Sequence, residues 1–429
     1  MVFRRRHAAC ALSVILAAAS PARAQTAQAS AEAQALRAAI DGLKRDFDQR
    51  LAALETRLAA VESAQQNPPA PAPAPTAAAP AEPTAAGTGA SVTNAKVFNP
   101  DMAVIGDFLG ALGRRTPANV GVTPEPLLQM HESEASFQAV VDPYARADFF
   151  LSFGEQGVDL EEGFLTFTEL PGGLLTKVGK MRAAFGKVNA LHNHVLPWTD
   201  RPLVINNLVG GEDGISDAGV SVARLIPNPW LFLEATGQVF RGDSGPDENP
   251  LYRTSHRGQA SFVGHLRGYQ DVSESTNIDL GASVSRGYNA SGVAEGNDDF
   301  TTRLIGLDAT LRWRPLQRSI YHSFIARSEV IWSRRDQPSG LQSGSGFYVS
   351  ADYQFARRWF AGVRFDGSDR ADNAALRDTG GSAILTFWPS EFSQVRGQYR
   401  RTNYAIGPAA NEVLFQFQFA IGAHGAHPF

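Results

Sequence analysis

The sequence predicts an all-β fold: a 16-stranded antiparallel transmembrane β-barrel over residues 97–429, preceded by a periplasmic α-helical coiled-coil segment. Three observations predict it. The chain opens with an export signal. Its bulk alternates apolar and polar residues in segments of about ten. The connections between those segments are short at one end and long at the other.

The export signal occupies 1–24. Arg4, Arg5 and Arg6 give the positive start, residues 8–20 a short apolar stretch, and Ala22-Arg23-Ala24 a small-residue cleavage site. The single cysteine, Cys10, lies inside this signal. The exported chain therefore holds no thiol, which excludes disulfides and cysteine-metal sites. Residues 25–66 read as a periplasmic helix. Leu36, Ile40, Leu43, Phe47, Leu51, Leu54, Leu58 and Val61 recur at spacings of three and four, and an eleven-residue offset links Leu36, Phe47 and Leu58. Such a repeat makes a nearly straight apolar seam. One narrow seam cannot form a domain, so the helix is expected to pair with copies of itself. Residues 67–96 are a Pro/Ala-rich disordered linker, extended, semi-rigid and too poor in apolar bulk to build a core.

From 97 onward the pattern has period two. Val413, Phe415, Phe417, Phe419 and Ile421 share one face, and Gln416 and Gln418 the other. Ile305, Leu307, Ala309, Leu311 and Trp313 likewise oppose Gly306, Asp308, Thr310, Arg312 and Arg314. Sixteen such strands start near residues 102, 132, 143, 158, 173, 216, 229, 258, 275, 299, 320, 344, 358, 381, 393 and 411. Short turns such as 142–143, 170–173, 226–229 and 389–392 join one set of ends. Longer polar loops, 110–131, 183–214, 241–257, 289–298 and 367–379, join several of the others. An even strand number returns both termini to the short-turn end, which suits a periplasmic helix. A soluble sandwich also alternates. Here, however, charges run along the polar face, and Trp313, Trp332, Tyr288, Trp359, Trp388 and Tyr399 sit near strand ends as interfacial girdles do.

Composition narrows the function classes. A formal net charge of -4 gives no general affinity for nucleic acid. No Gly-x-Ser-x-Gly elbow, His-Glu-x-x-His or P-loop appears, so no enzyme is expected.

The irregular stretch 183–214 leaves the fifth strand and returns in the sixth, so it is the third long-end loop. A sixteen-stranded barrel has a water-filled lumen, and irregular backbone at membrane depth is tolerated where it faces water and protein. In sixteen-stranded porins the third loop folds inward and narrows the pore. "GKMRAAFG", then "DRPLV", then "GISDAGVSV" resemble the phosphate-selective porin O/P family of outer-membrane porins, to which the coiled coil is an addition. The resemblance rests on Gly179, Arg182, Phe185 and Gly186, on Asp200 and Arg201, and on Asp217, Gly219 and Val220. It implies a barrel with a constriction loop at 183–214 and phosphate selectivity carried by basic residues of the lumen.

Strand parity turns Arg146, Arg267, Arg312, Arg327, Arg364, Arg396 and Arg400 inward as a lumen wall. It turns Glu134, Asp148, Glu162, Glu234, Asp279, Asp308, Glu329, Asp352 and Asp366 inward as well, which departs from a clean anion track. Arg182, Lys187, His192, His194, Asp200 and Arg201 are the loop groups placed at the constriction. His192 and His194 lie two apart, a spacing open to metal ligation with Asp200 or Glu212 and Asp213. That spacing is common by chance, so no metal and no cofactor are assigned.

The expected function is a porin in the outer membrane of a Gram-negative bacterium. It would contact outer-membrane lipid and pass small hydrophilic solutes, anions among them, by diffusion as a homotrimer. Two alternatives stand beside it. One is a structural protein tethering the membrane to periplasmic or cell-wall partners through the coiled coil. The other is a TonB-dependent receptor, for which residues 25–96 are too short and too simple to form a plug.

Overall fold

A computed structural model describes residues 100–113, 128–155, 157–246, 250–296 and 299–422. The expected signal (1–24), helix (25–66) and linker (67–96) lie outside the described residues, as do His424 and His427 of "GAHGAHPF", a second histidine pair whose spacing is open to metal ligation and to which no metal is assigned.

The described strands are β1 (Asp101–Gly113), β2 (Leu128–Met130), β3 (Ser133–Asp142), β4 (Ala145–Gly154), β5 (Gly157–Leu170), β6 (Leu174–Arg182), β7 (Ser216–Leu225), β8 (Phe232–Phe240), β9 (Ser261–Ser273), β10 (Thr276–Tyr288), β11 (Thr301–Trp313), β12 (Ser323–Arg335), β13 (Gln342–Ala356), β14 (Trp359–Asp369), β15 (Arg377–Ser390), β16 (Ser393–Asn403) and β17 (Ala410–Gly422). One short helix, α1 (Leu203–Leu208), sits between β6 and β7.

From β3 to β17 each strand pairs antiparallel with the next, and β1 pairs with β2 and β3 on one side and with β17 on the other, from Ala103↔Gly422 to Gly113↔Glu412. That ladder closes the sheet. β2 and β3 follow one another along the same side of β1, interrupted at His131 and Glu132. They form one broken stave, so the barrel has sixteen. At the break the His131 N–H donates to the Asp107 carbonyl (2.9 Å), and the Asp107 N–H donates to Ser133 Oγ (3.0 Å). The interrupted backbone is thereby still satisfied.

The two faces differ as the alternation requires. On β10, Leu280 and Val284 are exposed outside, while Asp279, Ser283 and Ser285 are buried inside. On β17, Val413, Phe417 and Ile421 are exposed, and Glu412, Gln416 and Gln418 are buried. Trp332, Trp359 and Tyr399 are also exposed on the outer surface. An apolar band of this extent, continuous round a sheet, is what a transmembrane barrel presents to lipid.

Candidate functional site

The site is the 183–215 segment and the wall it touches. It begins where Ala183 continues the β6–β7 ladder, its N–H donating to the Ile215 carbonyl (2.8 Å). Asn189 then pins the base. Its side chain donates to the carbonyls of Ala183 (3.0 Å) and Ile215 (3.1 Å) and accepts from the Ile215 N–H (2.8 Å).

Beyond the base the segment builds a small core of its own. Phe185, Val188, Leu196, Trp198, Val204, Ile205, Leu208, Val209 and Ile215 are all buried. They pack with Leu304 of β11, Ile331 of β12, Tyr348 of β13 and Ile384 of β15. The Trp198 ring meets Tyr348 edge-on (centroids 5.1 Å apart), and the Arg364 guanidinium lies over it at 4.9 Å. A loop carrying that much apolar surface is held by the same burial that holds a domain core.

Polar contacts fix its position against the inward faces of widely separated strands. The Ala184 N–H donates to Gln238 of β8 (2.7 Å), and the Gly186 N–H to Ser283 of β10 (2.9 Å). The N–H groups of Lys187 and Val188 both reach Glu329 Oε1 of β12 (2.6 and 2.8 Å). Thr199 donates twice to Gln398 of β16 (both 3.0 Å), and Gln418 of β17 donates to the His194 carbonyl (2.9 Å).

Gly186 explains one of the motif glycines. Its φ is +59°, a region that costs side-chain-bearing residues energy. A Cβ there would also meet Glu329 Oε2 at 2.7 Å. Gly186→Ala should therefore weaken the seating of the segment by about 1–3 kcal/mol. Limited proteolysis in detergent checks this: cleavage within 183–215 should rise while the barrel stays intact.

The six loop groups named from sequence are placed as follows. Arg182, the last residue of β6, donates to the Glu212 carbonyl (2.8 Å) and lies 3.5 Å from Glu161. Lys187 pairs with Asp279 of β10 (2.9 Å) and approaches Asp308 of β11 (3.8 Å). His192 lies among Glu134, Glu161 and Glu162, with His194 beside it. Asp200 receives Arg364 of β14 (2.9 Å) and Arg400 of β16 (2.7 Å), and Gln398 as well. Burial pushes the Asp200 carboxyl up, but the two guanidinium groups outweigh it and hold it at about 2. Arg201 turns into the segment, donating to Asn193 Oδ1 (2.8 Å) and to the carbonyls of Val188 (3.0 Å) and Leu191 (2.6 Å). It braces the fold of the loop rather than offering its charge to a gap.

The seven wall arginines divide into two sets. Arg146, Arg267, Arg312 and Arg327 stay partly exposed toward the short-turn end, and each lies near a carboxylate. Arg146 is paired with Asp148 (2.8 Å), Arg267 with Asp279 (2.7 Å) and Arg327 with Asp352 (2.5 Å), while Arg312 is 3.9 Å from Asp279. Arg364, Arg396 and Arg400 are buried against the segment. Arg364 also pairs with Asp366 (2.9 Å), and Arg400 with Glu412 (2.6 Å). Arg396 donates to the Trp198 carbonyl (3.1 Å) and to Gln416 (2.7 Å). The wall arginines, which the sequence reading set among inward carboxylates, thus serve here as members of ion pairs and as anchors for the loop.

Two of the carboxylates that the spacing left open as partners of the histidines are engaged elsewhere. Asp200 is committed to Arg364 and Arg400, and Glu212 lies by His131 (3.4 Å). The carboxylates that meet His192 come from the wall: Glu134 of β3 and Glu161 and Glu162 of β5. Parity placed Glu134 and Glu162 inward but missed Glu161. β5 carries a bulge there: Phe150 pairs with Glu162 while Leu151 pairs with Leu160. The extra residue turns two consecutive carboxylates to the same side, and the sequence holds no local signal for it.

On the long-loop side of the segment the described residues line a half-open cavity of about 880 Å³. Thr199, Arg201, Asn206 and Glu212 border it from the segment, and His131, Glu132 and Asp159 from the wall.

Sixteen antiparallel staves, apolar outside and polar inside, with the third long-end connection packed on the inner wall, define a porin-type barrel. Solved structures share this fold. The chain matches Pseudomonas putida OprB with a TM-score of 0.54 at 9% identity, covering 76% of this chain and 95% of that one. It matches the anion-selective porin from Comamonas acidovorans with a TM-score of 0.53 at 11% identity, covering 75% and 99%. OmpT of Vibrio cholerae, expressed in the outer membrane, gives 0.50 at 9% identity, covering 77% and 100%. At these identities the likeness is one of fold. In sequence the chain is 28% identical over 335 residues to an uncharacterized protein of Aquifex aeolicus (strain VF5), covering 70% of each. No family model matches the chain.

Proposed function

We propose that this chain is a non-catalytic diffusion channel of the outer membrane, with segment 183–215 narrowing its lumen. The observation that carries this reading is the seating of that segment on inward-facing side chains from β8 round to β17, inside a closed barrel with an apolar outer surface. A polar lumen divided by an ordered loop admits small hydrophilic solutes and rejects large ones. The resemblance of 179–220 to the phosphate-selective porin O/P family supports the same class. Pairing of the exposed wall arginines with carboxylates supports weak charge selectivity over a dedicated phosphate track. Assembly as a homotrimer belongs to this proposal.

Planar-bilayer recording of the purified full chain tests it. Discrete conductance steps are expected, with a reversal potential in a potassium chloride gradient near zero and little changed by potassium phosphate. A protein that folds but opens no ion-conducting pore would overturn the channel reading. A large anion-selective reversal potential would restore the phosphate track.

A further inference from the structure

We propose that His192, His194, Glu134 and Glu161 form a binding site for a divalent transition-metal ion of the zinc class, oriented by Glu162. This goes beyond the channel reading and does not depend on it, because binding is read on the protein itself.

The donor atoms are already gathered. Glu134, His192 and His194 each offer one ligand atom, and these lie within 4.8 Å of one another. His194 Nδ1 is 3.7 Å from Glu134 Oε2, and His192 Nδ1 is 3.1 Å from Glu161 Oε2. His192 Nδ1 also contacts Glu134 Oε2. In a tetrahedral zinc site with bonds of about 2.0–2.2 Å, neighbouring donors stand about 3.4 Å apart. The separations here bracket that value, so small side-chain shifts would close the site.

The far side of His192 is arranged as metal-binding imidazoles usually are. Its Nε2 faces Glu162 Oε1 at 2.7 Å. A carboxylate accepting the Nε2 proton leaves Nδ1 directed at the ion, which is the carboxylate–histidine–metal relation. The ring is further held edge-on by Phe150 (5.2 Å) and His194 (5.8 Å).

Charge gives a separate argument. Glu134, Glu161 and Glu162 are all buried. Among the described residues, Arg182 at 3.5 Å from Glu161 is the lysine or arginine paired with this group, and Glu134 and Glu162 pair only with histidine. Buried carboxylates in excess need a cation. Either protons on the imidazoles or a metal ion can supply it, and two histidines with two carboxylates suit zinc, with cobalt as a spectroscopic substitute. The β5 bulge is what delivers Glu161 as the extra ligand beside Glu162. Since the histidines belong to the loop and the carboxylates to the wall, a bound ion would staple one to the other.

The test is titration of tag-free, full-length protein in detergent with Zn²⁺, followed calorimetrically, and with Co²⁺, followed by its visible absorption. One equivalent per chain is expected, with a tetrahedral cobalt spectrum. His194→Ala and Glu134→Gln should weaken binding by about 100-fold, and Glu162→Gln by about 10-fold. His424→Ala with His427→Ala should leave it unchanged. Folding of each variant is checked by retained resistance of the barrel to SDS without heating, and Glu162→Gln keeps the test valid if a ligand variant misfolds. Absence of saturable micromolar binding overturns the proposal, as does binding that survives His194→Ala.

Discussion

Asp200→Ala is expected to give the largest change in channel behaviour of any single substitution in the segment. The Asp200 carboxylate is shared by two guanidinium groups from β14 and β16, both buried. Removing one partner of a buried ion pair costs about 3–5 kcal/mol, because the charge left behind has lost its water and gained nothing. Asp366 and Glu412 remain beside Arg364 and Arg400, which places the cost at the lower end. The barrel ladders do not pass through Asp200. The loss should therefore appear as loosening of 183–215, with raised single-channel conductance and faster proteolysis of the segment. Unchanged conductance and unchanged protection would rule out this contact as the latch. Asp200→Asn keeps the shape and loses the charge, so it should fall between.

The same pair has a defined pH response. The Asp200 carboxyl is depressed from 3.8 to about 2, so its contribution is fully present above about 3.8 and is lost as pH falls through about 2. From pH 4 to 8 the difference between wild type and Asp200→Ala should stay constant, and it should shrink only in stronger acid. A difference that vanished near pH 6 would point to a histidine instead.

Trp198→Ala is the second large effect. Its ring is 1% exposed, lies between Tyr348 and Arg364, and fills the middle of the loop core. Truncating a buried aromatic of this size costs about 3–5 kcal/mol through lost burial and the cavity left behind. The backbone carbonyl of Trp198 still accepts from Arg396, so the segment should stay tethered but move. Hydrogen exchange of the amides of α1 should accelerate by two orders of magnitude or more, about 1.4 kcal/mol per tenfold step. Exchange in β10–β15 should be unaffected.

Much of the barrel was legible because its signals are local. The alternation on β10, β11 and β17 is a property of neighbouring residues, and turn residues such as Pro143 and Gly172-Gly173 mark the short end directly. The strand starts read from sequence fall within four residues of those observed. One stave escaped description as a single strand: the stretch read as starting near 132 is split into β2 and β3 at His131 and Glu132.

The motif residues had a different fate. Phe185, Gly186, Arg201 and Asp217 carry a resemblance to channel proteins; in the structure the first three build the loop, and Asp217 holds the connection after β8. Phe185 enters its core, and Gly186 makes the turn that Glu329 accepts. Arg201 closes on loop carbonyls, and Asp217 receives the N–H groups of Gly242 and Asp243 (2.7 and 2.8 Å). A short motif can mark a loop that must fold one way without naming what passes beside it.

By itself the sequence determined that this chain makes a sheet with one apolar and one polar face, how many staves it has, which end carries the long loops, and that 183–214 is the third of them. These follow from period, turn chemistry and counting. Only the tertiary structure decided which charges are spent. Asp200 and Arg400 are 200 residues apart, and no local pattern says that they meet. Parity is also blind to a bulge, so Glu161 joined His192 only once β5 was paired with β4. Closing a barrel brings distant side chains into one lumen, and each charge there is set by partners that the chain order does not reveal.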